Sequence, residues 1–547
     1  MKVRTDILRV YTELHTWVGI TSGLLLFIGF FAGALTMFKQ PLDRWTSAPT
    51  QQIQQVTVDK IDRLVSQLVV ARPDSQNEFL VSLESGEHIH AAVTWGGGSD
   101  GPVLDLSSSQ WQASLDTEGQ LQLQQAVPTQ LGNLIDQLHR TAGIPAIIDG
   151  EYLGVYLLGV AAALYFLALV SGVIVLLPTL VKDFFAVRAG KNKKRFWLDI
   201  HNIIGITSLP YHIVISLTVV VFAFHDQFYD ALGAVVYNDQ PMFTRPAVVQ
   251  QQYAPQDLLP VSTLVNHIEA AAPGFSVTEL LYMGIDTDRP MVRGAITSAE
   301  HVVHGPLAGY IGIHPFTGKI ISTSMVPGQG SVWGSIVSSF FALHFGSYGG
   351  NIIRWVYFLL GISGAFLFYS GNLLWIEKRR KRQKQQRHTV SQRLAARNLA
   401  AATIGVCLGA VAAVGFSLVM GKWAYAYVDT INWVYLYSYY TVFIGAVVWS
   451  FWRGPAIAGP QLLALCGIAA VLIPLTSLLA WLFPSLGLWV NGSLASLSVD
   501  AVALLSAWCF YRAAIFSRQR ALHGPVDSVW SVHARVGSDS KLMSEAV

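Results

Sequence analysis

Cysteine is nearly absent from this chain: Cys407, Cys466 and Cys509 are its only three, and each lies in a long apolar run far from the others. That spacing excludes a disulfide framework, a cysteine-rich zinc site and a cysteine-ligated iron–sulfur cluster. Charge is scarce as well, at 13% of 547 residues against 52% hydrophobic, which excludes a water-soluble globule of ordinary composition. A nucleotide-binding fingerprint is missing too. The one glycine-rich run, Gly96-Gly-Gly-Ser-Asp-Gly, follows no strand-to-helix turn.

What the chain has instead is length in its apolar runs. A membrane span needs about 20 mostly apolar residues to cross a core of roughly 30 Å. Eight stretches qualify, near 17–38, 152–177, 197–223, 351–376, 399–420, 430–451, 460–483 and 493–515. The first follows Lys2, Arg4 and Arg9 but ends in Phe38-Lys39-Gln40-Pro41, without a small-residue cleavage site, and is read as retained.

Lysine and arginine concentrate in alternate loops: Lys182, Arg188, Lys191, Lys193, Lys194 and Arg195, then a denser run from Lys378 to Arg397, then Arg453, Arg512, Arg518 and Arg520. By the bias of basic residues toward cytoplasmic loops, both termini are expected inside. The net charge of +3 is explained by that topology, so the lipid bilayer is the expected partner and nucleic acid is not.

The chain then divides into a first span ending at 38, an external segment 39–150, two spans in 151–223, a second external segment 224–345 and a fourth span in 346–376. A basic cytoplasmic linker 377–398 leads to a four-span module 399–515 and a cytoplasmic tail 516–547. The predicted fold class is a mainly α-helical membrane protein of about eight transmembrane helices with two small extracytoplasmic α+β domains.

The external segments look like a repeat. Each has a helical stretch (Val58–Val70; Val261–Ala272), then alternating strand-like runs, then a strand–turn–strand with Gly119 or Gly318 where a hairpin needs positive φ.

Histidine placement carries the functional signal. His15 opens the first span on its cytoplasmic side, His139 lies outside before the second, and His201 opens the third. His212 falls inside the third span, His225 at its external end, and His344 just before the fourth. An ionisable group inside a span is costly and usually faces a functional cavity. His201 and His212 are eleven residues apart, which on a continuous helix leaves them within about 20° of one face and about 16 Å apart along the axis. That spacing suits one helix giving a ligand to each of two stacked haems. Two neutral imidazoles saturate haem iron, so it carries electrons instead of binding oxygen. With no C-x-x-C-H, such haem is held without covalent attachment. His15 and His201 share the cytoplasmic edge and could hold one haem; the outer one could use His212 or His225 with His139 or His344. His88 with His90, and His301 with His304, have metal-like spacing but no suitable third ligand nearby.

The motifs L-H-T-W-V-G (14–19), L-H-R (138–140), V-K-D-F-F-A-V-R (181–188), W-L-D-I-H-N-I-I-G (197–205), L-P-Y-H (209–212), F-A-F-H-D (222–226) and L-H-F-G-S-Y-G-G (343–350) cover about 15–375. This pattern resembles the PepSY-associated transmembrane family, iron-regulated proteins of the bacterial inner (cytoplasmic) membrane that include siderophore reductases. The resemblance implies two PepSY-like periplasmic domains, two non-covalent bis-histidine b-type haems, and reduction of a periplasmic ferric siderophore. Such an oxidoreductase would take electrons from a quinol or a separate cytoplasmic reductase. Aromatics at the outer ends, Trp333, Phe340, Phe341, Phe345 and Tyr348, could shape a substrate site or form an interfacial belt. The competing expectation is a permease or binding protein for iron–siderophore or haem, without redox chemistry.

Overall fold

The computed structural model describes residues 4–48, 56–83, 91–96, 106–107, 109–148, 150–184, 186–188, 193–235, 253–298, 308–326, 328–329, 332–386 and 394–533. His88, His90, His301 and His304 lie outside them. In chain order the helices begin with α1 (Thr5–Thr36), α2 (Lys39–Thr46), α3 (Val58–Ala71), α4 (Leu131–Thr141) and α5 (Leu153–Leu176). There follow α6 (Leu180–Asp183), α7 (Lys193–Thr207), α8 (Leu209–Ala223), α9 (His225–Val235), α10 (Val261–Ala271) and α11 (Val332–Phe345). The last are α12 (Gly350–Gln386), α13 (Leu394–Trp423), α14 (Ile431–Arg453), α15 (Pro455–Leu482) and α16 (Leu494–His523).

The strands are β1 (Glu78–Ser82), β2 (Val93–Trp95), β3 (Gln110–Leu115), β4 (Leu121–Ala126), β5 (Ile147–Ile148), β6 (Glu151–Tyr152), β7 (Ser276–Met283), β8 (Met291–Thr297), β9 (Gly309–Ile313) and β10 (Ile320–Ser322). The chain forms two compact units, one of Met1–Thr46, Leu131–Val220 and Phe358–Val547, the other of Ser47–Gln130 and Val221–Tyr357.

The first unit is helical. Among the described residues, seven helices are long and apolar enough to cross a membrane, and α7 with α8 form a bent pair that could make one further span. The third span is therefore not the straight helix predicted over 197–223. It breaks between Thr207 and Leu209 and bends by 68°. Pro210 is the physical reason, since it offers no N–H and its ring crowds the carbonyl of Ile206 four residues back.

Small residues bring the later helices together. On α13, Gly405 and Gly409 lie four apart on one face, and a Cβ on Gly409 would stand 3.0 Å from the Ala446 methyl of α14. Hydrogen bonds across helices add to this: Ser450 Oγ donates to the Ala401 carbonyl at 2.9 Å, and Asn372 Nδ2 to Thr403 Oγ1 at 3.2 Å. Cys407 and Cys466 are buried and unpaired, so they behave as small apolar core residues.

The predicted external boundaries at 39 and 150 fall inside this unit. The amphipathic helices α2 and α4 bury Leu42, Trp45, Leu134, Ile135 and Leu138, and α4 packs on α1 and α2. That apolar area favours the helical unit over the strands.

The second unit is built on one eight-stranded sheet in the order β10-β9-β8-β7-β1-β2-β3-β4. Each half has the predicted helix and strands, yet they share a sheet because β1 and β7 pair antiparallel with Leu80 opposite Leu281 at the centre. Phe79 stacks on Tyr282 beside this axis, ring centres 4.3 Å apart. Asp62 on α3 accepts hydrogen bonds from the backbone N–H and hydroxyl of Ser262 on α10, at 3.2 and 2.8 Å. Gly119 and Gly318 take φ of 77° and 68° in the β3–β4 and β9–β10 turns, as the hairpins require.

Candidate functional site

The side chains with the clearest unspent chemistry are histidines of the first unit. His15, two to three turns into α1, meets His201 of α7 with ring centres 6.5 Å apart and ring planes at 83°. His15 Nδ1 lies 2.8 Å from the Ala168 carbonyl of α5. A carbonyl only accepts, so Nδ1 carries the proton and the lone pair is on Nε2. His201 Nδ1 lies 3.0 Å from Ser370 Oγ on α12, and Ser370 spends its own proton on the Leu367 carbonyl at 3.2 Å. That hydroxyl therefore accepts, and His201 takes the same tautomer.

No hydrogen bond among the described residues engages Nε2 of either ring. A metal bridging two imidazoles sets their ring centres roughly 6 Å apart, two metal–nitrogen bonds of about 2 Å plus two ring radii of about 1 Å. The pair has that spacing, and an Nδ1–H held by an oxygen acceptor is the usual outer-sphere support of a ligating histidine.

His212 differs in having no support at all. It is 0% exposed, and neither Nδ1 nor Nε2 has a hydrogen-bond partner. Its ring is surrounded by Phe30, Tyr165 and Tyr211, at centre distances of 5.6, 5.9 and 5.3 Å. The Tyr165 hydroxyl is also buried without a partner. A buried polar group left unpaired costs about 1–3 kcal/mol, so two in one place single this region out as a candidate site. On the same turn of α1, His139 of α4 donates Nδ1–H to the Gly29 carbonyl at 2.8 Å.

Glycines make these approaches possible. A Cβ on Gly172 would come within 3.0 Å of the His15 ring, one on Gly33 within 2.6 Å of His139, and one on Gly364 within 3.0 Å of His212. Gly364 and Gly371 are two turns apart on α12, and a Cβ on Gly371 would stand 3.7 Å from the His201 ring. The shared face expected of His201 and His212 is lost at the Ser208 bend. The two are instead lined up along α1 (His15, Phe30) and α12 (Ser370, Gly364). Glycine inside a helix weakens it by about 0.5–1 kcal/mol relative to alanine, so this recurrence was a readable signal that the histidine pattern alone did not exploit.

A second feature went unread. Arg188 and Arg195, counted as topology charges, pair with Asp183 and Asp199, which are 9% and 1% exposed at their side chains. Asp199 takes the backbone N–H, Nε and Nη2 of Arg188 at 3.1, 3.0 and 2.8 Å. This ties the loop before α7 to the helical turn carrying His201, two residues on. The two aspartates flank the basic cluster Lys182–Arg195 in the sequence, which was the available clue.

The remaining two candidates belong to the second unit. His225 is exposed, with Nδ1 on the Phe222 carbonyl at 2.8 Å and Nε2 3.2 Å from Asp226 Oδ1, the arrangement of a helix-end cap. His344 of α11 packs its ring 5.0 Å from Phe222, beside Phe341 and Phe345. Tyr348 bonds through its hydroxyl to Tyr357 at 3.1 Å, and Tyr357 donates to the Leu343 carbonyl. No group of three or more His, Cys, Asp or Glu side chains suited to a metal ion occurs among the described residues. Histidine pairs are what the fold offers.

Residues 12–378 match the family model described as PepSY-associated TM region. Comparison with curated proteins returns no match.

Proposed function

The chain belongs to the PepSY-associated TM region family, and from that premise we propose that it is a di-haem b membrane oxidoreductase. In this reading it passes electrons across the bacterial inner membrane, from a quinol or a cytoplasmic reductase, to reduce a periplasmic ferric siderophore. The loop bias of lysine and arginine supports cytoplasmic termini, with the sheet unit in the periplasm in the manner of paired PepSY domains. Counting the bent α7–α8 pair as a span gives eight.

The observation that carries the reading is the His15–His201 pair, at 6.5 Å and 83° with both Nδ1 atoms spent on acceptors. That donor set fits haem iron better than a structural zinc, which needs four ligands where only two are present. Bound at such a pair, haem supplies one-electron transfer with no open coordination position. The chain's own residues do the rest. His15 and His201 would hold the inner group, with Ala168 and Ser370 fixing their orientation. His212 and His139 would hold the outer one, the unpartnered nitrogens of His212 being the strongest reason. Phe30, Tyr165 and Phe368 keep water from that region. Hard-oxygen chelators prefer ferric iron, so adding one electron to the substrate loosens the complex and releases the metal.

Dithionite-reduced protein in detergent, mixed with a ferric hydroxamate under nitrogen, tests the substrate assignment. Reoxidation of the reduced absorption bands with stoichiometric appearance of ferrous iron, trapped by ferrozine, is the expected result. Bands that stay reduced in the presence of the chelate rule out the ferric-siderophore reading.

A further inference from the structure

We propose that Tyr165 of α5 is a positioning residue for His212: its hydroxyl accepts the His212 Nδ1–H when His212 holds the outer haem. The proposal rests on the reading that His212 is a haem ligand. A ligating imidazole gives one nitrogen to the metal and donates the N–H of the other to an oxygen, which fixes its tautomer and ring orientation. Three candidate histidines of the first unit already have such an oxygen. Nδ1 of His15 lies 2.8 Å from the Ala168 carbonyl, Nδ1 of His201 3.0 Å from Ser370 Oγ, and Nδ1 of His139 2.8 Å from the Gly29 carbonyl. His212 is the exception, since it is buried with neither nitrogen engaged.

The oxygen that could serve it is close by. The Tyr165 ring stands 5.9 Å from the His212 ring at 77°, and its hydroxyl is buried without a partner. Phe30 and Phe368 meet the Tyr165 ring edge-on at 5.7 and 4.9 Å and hold it in place. The histidine is therefore the ring that moves. With no hydrogen bond to break, it turns about its Cβ–Cγ bond, a torsion with broad minima, until Nδ1 faces the phenol oxygen and its lone pairs. Tyr211 also touches His212, but it is the preceding residue of α8, and adjacent residues of a helix do not face each other. The position of Tyr165 on α5 fits the role. Tyr165 and Ala168 are three residues apart on one face, and Gly172, a further turn along, is where that helix admits the His15 ring. One face of α5 then carries an acceptor for each histidine level, Ala168 for His15 and Tyr165 for His212.

Tyr165→Phe removes the oxygen and keeps the ring, so the packing on Phe30 and Phe368 stays. In full-length protein in lipid nanodiscs, transfer of haem to excess apomyoglobin and midpoint potentials from spectroelectrochemistry read the contact. The haem missing from His212→Leu identifies the outer site. In Tyr165→Phe that haem should leave about 10- to 100-fold faster than in wild type. Its potential should rise, because an imidazole that donates no hydrogen bond is a poorer electron donor to ferric iron. The inner haem should keep its rate and potential, and Tyr211→Phe should match wild type. Protein prepared without haem gives a second readout: Tyr165→Phe should unfold at a temperature no lower than wild type, since the hydroxyl has no partner to lose. An outer haem unchanged in both release and potential overturns the proposal, as does an equal change in both haems or the same loss in Tyr211→Phe. A lower unfolding temperature of haem-free Tyr165→Phe also overturns it, by showing the hydroxyl engaged elsewhere. Absence of haem from wild type overturns the functional reading instead, and two haems retained in His212→Leu overturn the outer assignment.

Discussion

Replacing His201 by alanine should lower bound haem from about two to about one per chain, with the protein still folded and membrane-inserted. His201 contributes one of the two Nε2 lone pairs without a hydrogen bond, and among the described residues His201 is the imidazole in ring contact with His15. His15→Ala should give the same loss, and the double variant no more than either single one, because both act on one site. Ser370→Ala separates ligation from support. It removes the acceptor of His201 Nδ1–H while leaving Nε2 in place, and outer-sphere losses of this kind weaken metal binding by about 10- to 100-fold without abolishing it. Difference spectra of purified variants, with pyridine haemochrome for content, give both answers. Unchanged haem in His201→Ala would remove the inner site from consideration.

His212→Leu should have opposite effects on the two forms of the protein. In haem-free protein the buried imidazole has two nitrogens with no partner, so an apolar side chain of similar size should raise stability by about 1–3 kcal/mol. In haem-loaded protein the same change should remove the outer haem. A structural histidine could give the first effect and not the second. Thermal unfolding in detergent after haem-depleted expression, against haem content after ordinary expression, makes the comparison. Retention of two haems in His212→Leu would send the outer assignment to His225, the alternative on the third span.

Membrane residence was legible from composition because nothing but lipid suits seven long apolar helices. The paired α+β halves were legible too, since turn glycines and alternating runs are local features. Their union through β1 and β7 was not, because a strand edge does not name its partner. That His15 and His201 meet was readable by depth, since both lie near the same end of their spans in the sequence. The surroundings of His212 were not, because the third span, expected straight, bends by 68° at Pro210. α4 was assigned outside the helical unit, yet its apolar stripe of Leu131, Leu134, Ile135 and Leu138 already indicated a buried face. The glycines under each ring were visible as single letters, but their meaning depends on what approaches them in space.

The last four helices carry no candidate ligand, and their packing suggests a use for them. Through Trp45 and Asn491 they grip α2, and through Tyr440, whose hydroxyl donates to the Gly143 carbonyl at 3.0 Å, they reach the end of α4 just past His139. Bracing α4 would give a part to a module that contributes none of the candidate histidines.

Haem per chain in the purified wild-type protein bears on all of this most directly. Two low-spin haems per polypeptide, with bands that sharpen and shift on dithionite, is the value expected of bis-histidine pairs at both levels. Protein purified from haem-replete cells without a Soret band would contradict it and leave the histidines to a permease or a binding module.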